Sequence, residues 1–290
     1  MTWTEDEIPD LTGRTYVVTG ANGGIGEHIT AALAVHGARV VMACRNASKA
    51  ESVAKRIGAD IEVEQLDLGD LASIRSFAEQ ADSFDVLINN AGLLSVPLGR
   101  TADGFESQFG VNHLGHFALT GLLLDRISDR VVTLSSVAHK RTKTLDFNDL
   151  NYENRPYDAS DAYVQAKLCN LMFARELQRR LSAGGSSQKS FAVHPGVTST
   201  ALDNAENLAD RLSKPILKLV GQQPRKAAES TLFASTQPDA DPETYWGTTG
   251  LMGVRGPVGA STSSPLSQDK AAWGQLWAAS EKLTGVTFPF

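Results

Sequence analysis

One stretch near the start of the chain, Thr19-Gly20-Ala21-Asn22-Gly23-Gly24-Ile25-Gly26, limits the available folds more than any other. It follows residues 15–19, whose Tyr16-Val17-Val18 core predicts a strand, and precedes a segment near 24–36 with helical periodicity. Glycine has no Cβ, so the chain can turn tightly between strand and helix. Backbone N–H groups can then approach a pyrophosphate, whose charge the helix N-terminus favours. The placement predicts a dinucleotide cradle; a plain glycine-rich turn and a methyltransferase loop are the competing readings.

From Arg14 onward the alternation of apolar run, break and helical pattern continues, without an internal repeat. Further strands are predicted at 39–43, 61–65, 86–89, 130–134 and 189–193, with a weaker one near 250–254. Helices are predicted near 48–57, 71–80, 103–124, 160–181, 225–235 and 269–283. Runs such as Val40-Val41-Met42 suit strands covered on both faces. The expectation is one α/β domain over 1–290, a doubly wound, mainly parallel sheet of about seven strands with helices on both faces. An eight-fold barrel competes, but a glycine cluster after the first strand favours the open sheet. Two stretches break the rhythm: 140–159, an insertion carrying Pro156, and 197–224, a candidate substrate lid. The lid's apolar stripe, including Leu208, Leu212 and Ile216, fits a moderately hydrophobic substrate, and equally an amphipathic helix packed on the core.

Composition removes several function classes. The chain has 27 Lys and Arg against 33 Asp and Glu, a net charge of −6, so nothing in it attracts nucleic acid or anionic lipid. Cys44 and Cys169 are too few for a disulfide framework and lack metal-ligand spacing; two buried thiols in a reducing compartment, and no metal, are expected. The acidic start lacks the basic and apolar parts of a secretory signal. The most apolar run, 117–124, is far shorter than the ~20 residues that span a bilayer. A cytoplasmic protein without a membrane partner is expected.

At the predicted end of the second strand, where an adenosine ribose would lie, stands Cys44-Arg45. An NAD site usually places a carboxylate there; Cys44 cannot serve, whereas Arg45 can pair with a 2′-phosphate. NADP(H) is therefore favoured over NAD(H). Lys49 adds charge nearby or is merely solvated. Within 160–181, Tyr163 and Lys167 stand at i and i+4 and face the same way. A positive charge about 5 Å from the phenol at effective ε ~20 favours phenolate by roughly 3 kcal/mol, or about two pKa units. That predicts proton transfer near neutral pH. Taken alone, the pair is a weak signal whose default reading is an ordinary surface helix pair.

In order along the chain, Thr19-Gly20-x-x-x-Gly24-x-Gly26, Asp67-Leu68, Asn89-Asn90-Ala91-Gly92, Asn112, Ser135-Ser136, Tyr163-x-x-x-Lys167 and Pro195-Gly196-x-x-x-Thr200 resemble the marks of the classical short-chain dehydrogenase/reductase family. Ala43-Cys44-Arg45-Asn46, Val111-Asn112-His113-Leu114-Gly115-His116-Phe117 and Ser135-Ser136-Val137-Ala138-His139 resemble its retinol-dehydrogenase-like and protochlorophyllide-reductase-like branch, in a soluble bacterial form. The resemblance implies a Rossmann-like fold and hydride transfer between NADP(H) and a small carbonyl or alcohol. It makes Tyr163 the general acid/base. Lys167 would bind the nicotinamide ribose, and Ser136 the substrate oxygen, with Ser135 as the neighbouring alternative. Asn112 would hold a relay water. Cofactor contacts would come from Gly20, Asn22, Gly24, Ile25 and Gly26; from Asp67 and Leu68 at adenine; from Asn89, Ala91 and Gly92 at the central strand end; and from Tyr163, Lys167, Gly196, Val197 and Thr200 at the nicotinamide end. His113, His116, His139 and His194 read as structural. The insertion at 140–159 bears on a helix face that many relatives use for dimerisation, which leaves monomer and homo-oligomer open. The rival reading is a dinucleotide-binding sensor or scaffold without turnover; the retained tyrosine and lysine speak against it.

Overall fold

The computed structural model describes residues 3–58, 60–197, 222–250 and 253–290. Strands β1 (Thr15–Thr19), β2 (Arg39–Cys44), β3 (Ile61–Gln65), β4 (Phe84–Asn89), β5 (Ile127–Leu134) and β6 (Lys189–Val193) alternate with helices. These are α1 (Gly24–Val35), α2 (Ala47–Ile57), α3 (Leu71–Gln80), α4 (Gly115–Leu123) and α5 (Ala159–Ala183). After them come α6 (Pro224–Thr236), the short strands β7 (Trp246–Thr248) and β8 (Val258–Ala260), and α7 (Lys270–Thr284).

The strands form one sheet in the order β3-β2-β1-β4-β5-β6-β7-β8, parallel except for the antiparallel β7–β8 pair. Alternate residues bury on opposite faces. Tyr16, Val18, Val40, Met42 and Ile88 pack with Ile29, Leu33 and Val53 of α1 and α2 and with Leu232 of α6. Val17, Leu87 and Val131 pack with Ile74 and Phe77 of α3, Phe117 of α4 and Phe173 of α5. Both faces are covered, as the apolar strands predict. The order reverses between β1 and β4, and in such sheets the crevice outside the carboxyl ends at that switch is where ligands bind.

The weak strand expected near 250–254 is not formed by its described residues. Gly250 and Gly253 belong to a turn, with Gly253 at φ +77°, between the strands that do pair, β7 and β8. The sheet therefore has eight strands. The helix expected over 103–124 is also different. A short α turn, Ser107–Phe109, leads into a π-helical turn, Gly110–Leu114, before α4 begins.

The 140–159 insertion is irregular but packed. Its Leu145, Phe147 and Leu150 join Leu168, Cys169 and Met172 of α5 and Trp273 and Leu276 of α7. Insertion and α7 together cover the outer face of the Tyr163 helix. Of the candidate lid, residues 198–221 lie outside the described ones. No helix among the described residues is long and apolar enough to cross a membrane.

Candidate active site

The glycine turn is built by close approach. A Cβ on Gly20, whose φ is +63°, would lie 2.9 Å from the Ala91 backbone. One on Gly26 would lie 2.5 Å from the Gly20 carbonyl oxygen and 2.6 Å from Asn90 Nδ2. Side chains at either position would force β1, α1 and the end of β4 apart. Gly24, at φ +55°, has no atom within 4 Å of where a Cβ would stand and is exposed. Asn22 and Ile25 flank it, half-buried.

Helices α2, α3, α5 and α7 begin with side-chain caps from Asn46, Asp70, Asp158 and Asp269. The N-cap of α1 is Gly23 and supplies none. Its first N–H groups thus remain as donors beside an open glycine turn, a fit for a pyrophosphate. Lys49 Nζ lies 3.5 Å from a Cβ built on Gly23, so this side chain reaches the turn. Arg45 is exposed, and neither cation forms a salt bridge among the described residues.

Asp67, after β3, accepts the Gly69 N–H at 2.8 Å. The Leu68 side chain is in the core, so only its backbone can serve a ligand in the crevice. Asn89 is likewise committed: fully buried, it donates to Thr120 Oγ1 at 3.0 Å and Thr133 Oγ1 at 3.3 Å. Its side chain ties β4 to α4 and β5, and the adenosine contact expected of Asn89 falls to backbone. What sequence reasoning missed is the role of its neighbour, which the motif contains. Asn90 Nδ2 donates to the Thr19 carbonyl at 2.8 Å and holds the glycine turn. The doubled asparagine is the only signal that could have pointed to it.

Asn112 and Lys167 meet at Gly92, the Tyr163 ring stands beside Lys167, and Ser136 stands by the Tyr163 phenol. Ser135 donates to the Lys167 carbonyl at 2.6 Å, which spends its proton on the backbone. Ser136 Oγ accepts the Ala138 N–H at 3.1 Å and keeps its proton for another acceptor. Of the two serines, Ser136 is the one left to bind an oxygen. Lys167 Nζ lies 5.9 Å from the Tyr163 ring centre and donates to the Leu134 carbonyl at 3.2 Å. A Cβ on Gly92 would be 3.4 Å from that Nζ and 3.3 Å from Asn112 Oδ1. Asn112 clamps Leu93 at both backbone atoms, accepting its N–H at 2.7 Å and donating to its carbonyl at 2.9 Å.

The electrostatics depart from the estimate made on spacing alone. Burial raises the Tyr163 phenol above its usual value, with Ser136 alone opposing, while burial pushes Lys167 down to about 8. Removing both groups from water favours the neutral form of each, and at this separation that outweighs their attraction. Four buried imidazoles are also held neutral by burial: His116 and His139 at about 4, His113 and His194 at about 3. His139 Nδ1 donates to the Ser136 carbonyl at 2.6 Å, and its Nε2 accepts the Ser264 N–H at 3.2 Å.

Beyond β6, Gly196 adopts φ +73°, and a Cβ there would meet the Val254 carbonyl at 2.5 Å. Val197 N–H bonds that same carbonyl. Thr200 lies outside the described residues.

The short chain dehydrogenase family profile matches residues 14–147. Retinol dehydrogenase 13 of Homo sapiens is 38% identical over 298 residues, covering 96% of this chain and 87% of its own length. Retinol dehydrogenase 12 of Mus musculus is 40% identical, covering 95% of this chain and 88% of its own. Among solved structures, an uncharacterized protein from Mycobacterium paratuberculosis is 42% identical and superposes with a TM-score of 0.88 over 100% of both chains.

Proposed function

The chain belongs to the short-chain dehydrogenase/reductase family, in its retinol-dehydrogenase-like branch, and is an oxidoreductase of alcohol and carbonyl groups; on that premise we propose that it uses NADP(H) and reduces a moderately hydrophobic carbonyl compound, with Tyr163 as the proton donor. The observation that carries the reading is the chain of neighbours from Ser136 through Tyr163 and Lys167 to Asn112 at Gly92, beyond the carboxyl ends of β4 and β5.

When bound, the dinucleotide supplies or accepts the hydride. The chain's residues do the rest. The N–H groups at the start of α1 hold the pyrophosphate, with Gly20 and Gly26 allowing it close. Arg45 and Lys49, lacking carboxylate partners among the described residues, hold the 2′-phosphate. The Asp67 carboxylate and the backbones of Leu68, Asn89, Ala91 and Gly92 border the adenosine, while Gly196 and Val197 border the nicotinamide. Lys167 Nζ binds ribose hydroxyls next to Gly92. Ser136 donates a hydrogen bond to the substrate oxygen, orienting it and stabilising the negative charge that develops there.

Tyr163 then gives its proton to that oxygen. A phenol raised by burial is fully protonated at neutral pH, which is the state reduction needs; oxidation needs the phenolate. Leu93, Leu94 and Val96, half-exposed and directly after Gly92, offer an apolar wall to the substrate.

The test is a screen of carbonyl and alcohol compounds with NADPH and NADH, followed by nicotinamide absorbance. Tyr163→Phe should still bind NADPH but lose about 10²–10⁴-fold in turnover, the usual weight of a general acid. A wild-type protein that binds the dinucleotide yet stays inert across the whole panel would sink the reading in favour of a sensor or scaffold.

A further inference from the structure

His116 lies in the first turn of α4, directly after the π-helical turn that carries Asn112. Both ring nitrogens are engaged. Nδ1 is 2.9 Å from the Asn112 carbonyl oxygen and Nε2 is 2.9 Å from Thr19 Oγ1. A carbonyl can only accept, so Nδ1 carries the proton and Nε2, in a neutral ring, accepts. Nε2 at 2.9 Å is then the nearer acceptor for the Thr19 hydroxyl, which also faces the Ile88 carbonyl at 3.3 Å, and the lone pairs of Oγ1 receive the N–H groups of Asn90 at 2.9 Å and Ala91 at 3.0 Å. The carbonyl of Asn112 thus fixes the tautomer of the ring, and the ring offers Thr19 an acceptor.

The consequence is a turn held from both ends. Thr19 fixes Asn90 and Ala91, and the Asn112 amide fixes Leu93; Gly92 lies between the two clamps, against Lys167. Among the described residues, His116 is the one side chain bonded to both Thr19 and Asn112. The charged group that faces it is Lys167.

We infer that His116 is a positioning residue: a neutral, Nδ1-protonated imidazole that locks Thr19 of β1 to Asn112 and so sets the spacing between the Gly92 turn and Lys167. The inference rests on the reading of Lys167 and Tyr163 given above, and it places His116 outside contact with substrate or dinucleotide. The ring acts through the width of the ribose seat and the path by which Lys167 supports the phenol.

The experiment compares wild type, His116→Phe, His116→Gln, Thr19→Val, Thr19→Ser and the His116→Phe/Thr19→Val double variant. It measures NADPH dissociation constants by tryptophan fluorescence, kcat and KM across pH, and melting temperature. His116→Phe and Thr19→Val should each weaken NADPH binding and lower kcat by about tenfold, and should shift the kinetic pKa of the reductive direction. Thr19→Ser, which keeps the hydroxyl, should stay close to wild type, and His116→Gln should recover part of the loss. The double variant should lose little more than Thr19→Val alone, since that change already removes the His116 link together with the bonds from Asn90 and Ala91. Losses that multiply in the double variant, or a folded His116→Phe with the wild-type pH profile and NADPH affinity, would overturn the inference. If His116→Phe does not fold, His116→Gln decides: wild-type NADPH affinity together with a wild-type pH profile counts against the inference. A wild type without turnover defeats the catalytic reading instead, and the NADPH dissociation constants still decide whether His116 shapes the seat.

Discussion

Lys167 is 6% exposed, with its ammonium on a backbone carbonyl and no carboxylate paired with it among the described residues. Its pKa falls from the ordinary 10.5 to about 8, so the charged form destabilises the folded state at neutral pH, and the penalty fades as pH rises from 8 through 10.5. A shift of this size corresponds to on the order of 2–4 kcal/mol. Lys167→Met, which leaves Asn170 as donor to the same Leu134 carbonyl, should therefore unfold at higher urea than wild type while losing activity. A lower midpoint would mean that the ammonium is compensated in some other way. The raised Tyr163 phenol fixes a second sign. Initial rates of reduction should fall as pH climbs toward and through its pKa, while rates of oxidation rise. At Arg45, replacement by Ala should weaken NADPH binding by about 10–100-fold, the weight of a charge-assisted hydrogen bond or two, and NADH binding far less. Equal weakening of both would show that the arginine does not read the phosphate. At this scale the sequence was highly legible. Tyr163 and Lys167 share one helix and Gly20, Gly24 and Gly26 one turn, so spacing alone fixes their mutual placement, whereas Ser136 and Asn112 stand on other elements that only the fold brings near them. Which serine keeps its proton, and which way the phenol shifts, were not legible, since both depend on partners distant in the chain.

Among the elements, the π-helical turn at Gly110–Leu114 matters most for the site, because it sets where Asn112 points. Periodicity predicted a plain helix there, and no local residue pattern contradicts it. The extra residue in the turn goes with long-range bonds: His113 reaches Ser280 of α7 at 2.9 Å, and His116 reaches Thr19 of β1. Such insertions are frequent at functional sites. Gly115 then lets α4 rest against the turn after β3, where a Cβ would lie 2.4 Å from the Leu68 carbonyl oxygen. Gly115→Ala should cost about 1–3 kcal/mol of stability, the usual price of overpacking, and should lower turnover by moving Asn112. Urea unfolding and the rate assay check the two parts separately, and a neutral variant would mean that the helix can shift without disturbing the site. Strands β7 and β8 are only three residues each, too short for alternation to register. Their pairing around a glycine turn is why the strand expected at 250–254 was misplaced.

For the whole molecule, the four buried imidazoles predict a particular response to acid. An unfolded histidine titrates near 6.5, whereas these rings are held neutral down to about 4 at His116 and His139 and about 3 at His113 and His194. The unfolded chain therefore binds more protons below pH 6.5, and their contribution to stability is fully present above it and lost as pH falls toward 4 and 3. The melting temperature should drop steeply between pH 6.5 and 4, before the paired carboxylates Asp129 and Glu176, whose pKa values are lowered, add their own loss. A flat profile from 6.5 to 5 would show that these rings are not buried and neutral in solution. The sequence by itself determined the doubly wound sheet, the dinucleotide turn and the tyrosine–lysine pair, because each is written in residues close along the chain, where covalent geometry and periodicity act directly. Only the tertiary structure decided the eighth strand, the commitment of the Asn89 side chain to Thr120 and Thr133, which of the two serines spends its proton on backbone, and the histidine links from α4 to β1 and from the π-helical turn to α7. Those outcomes depend on which distant backbone groups compete for the same proton, and on how far burial outweighs a neighbouring charge.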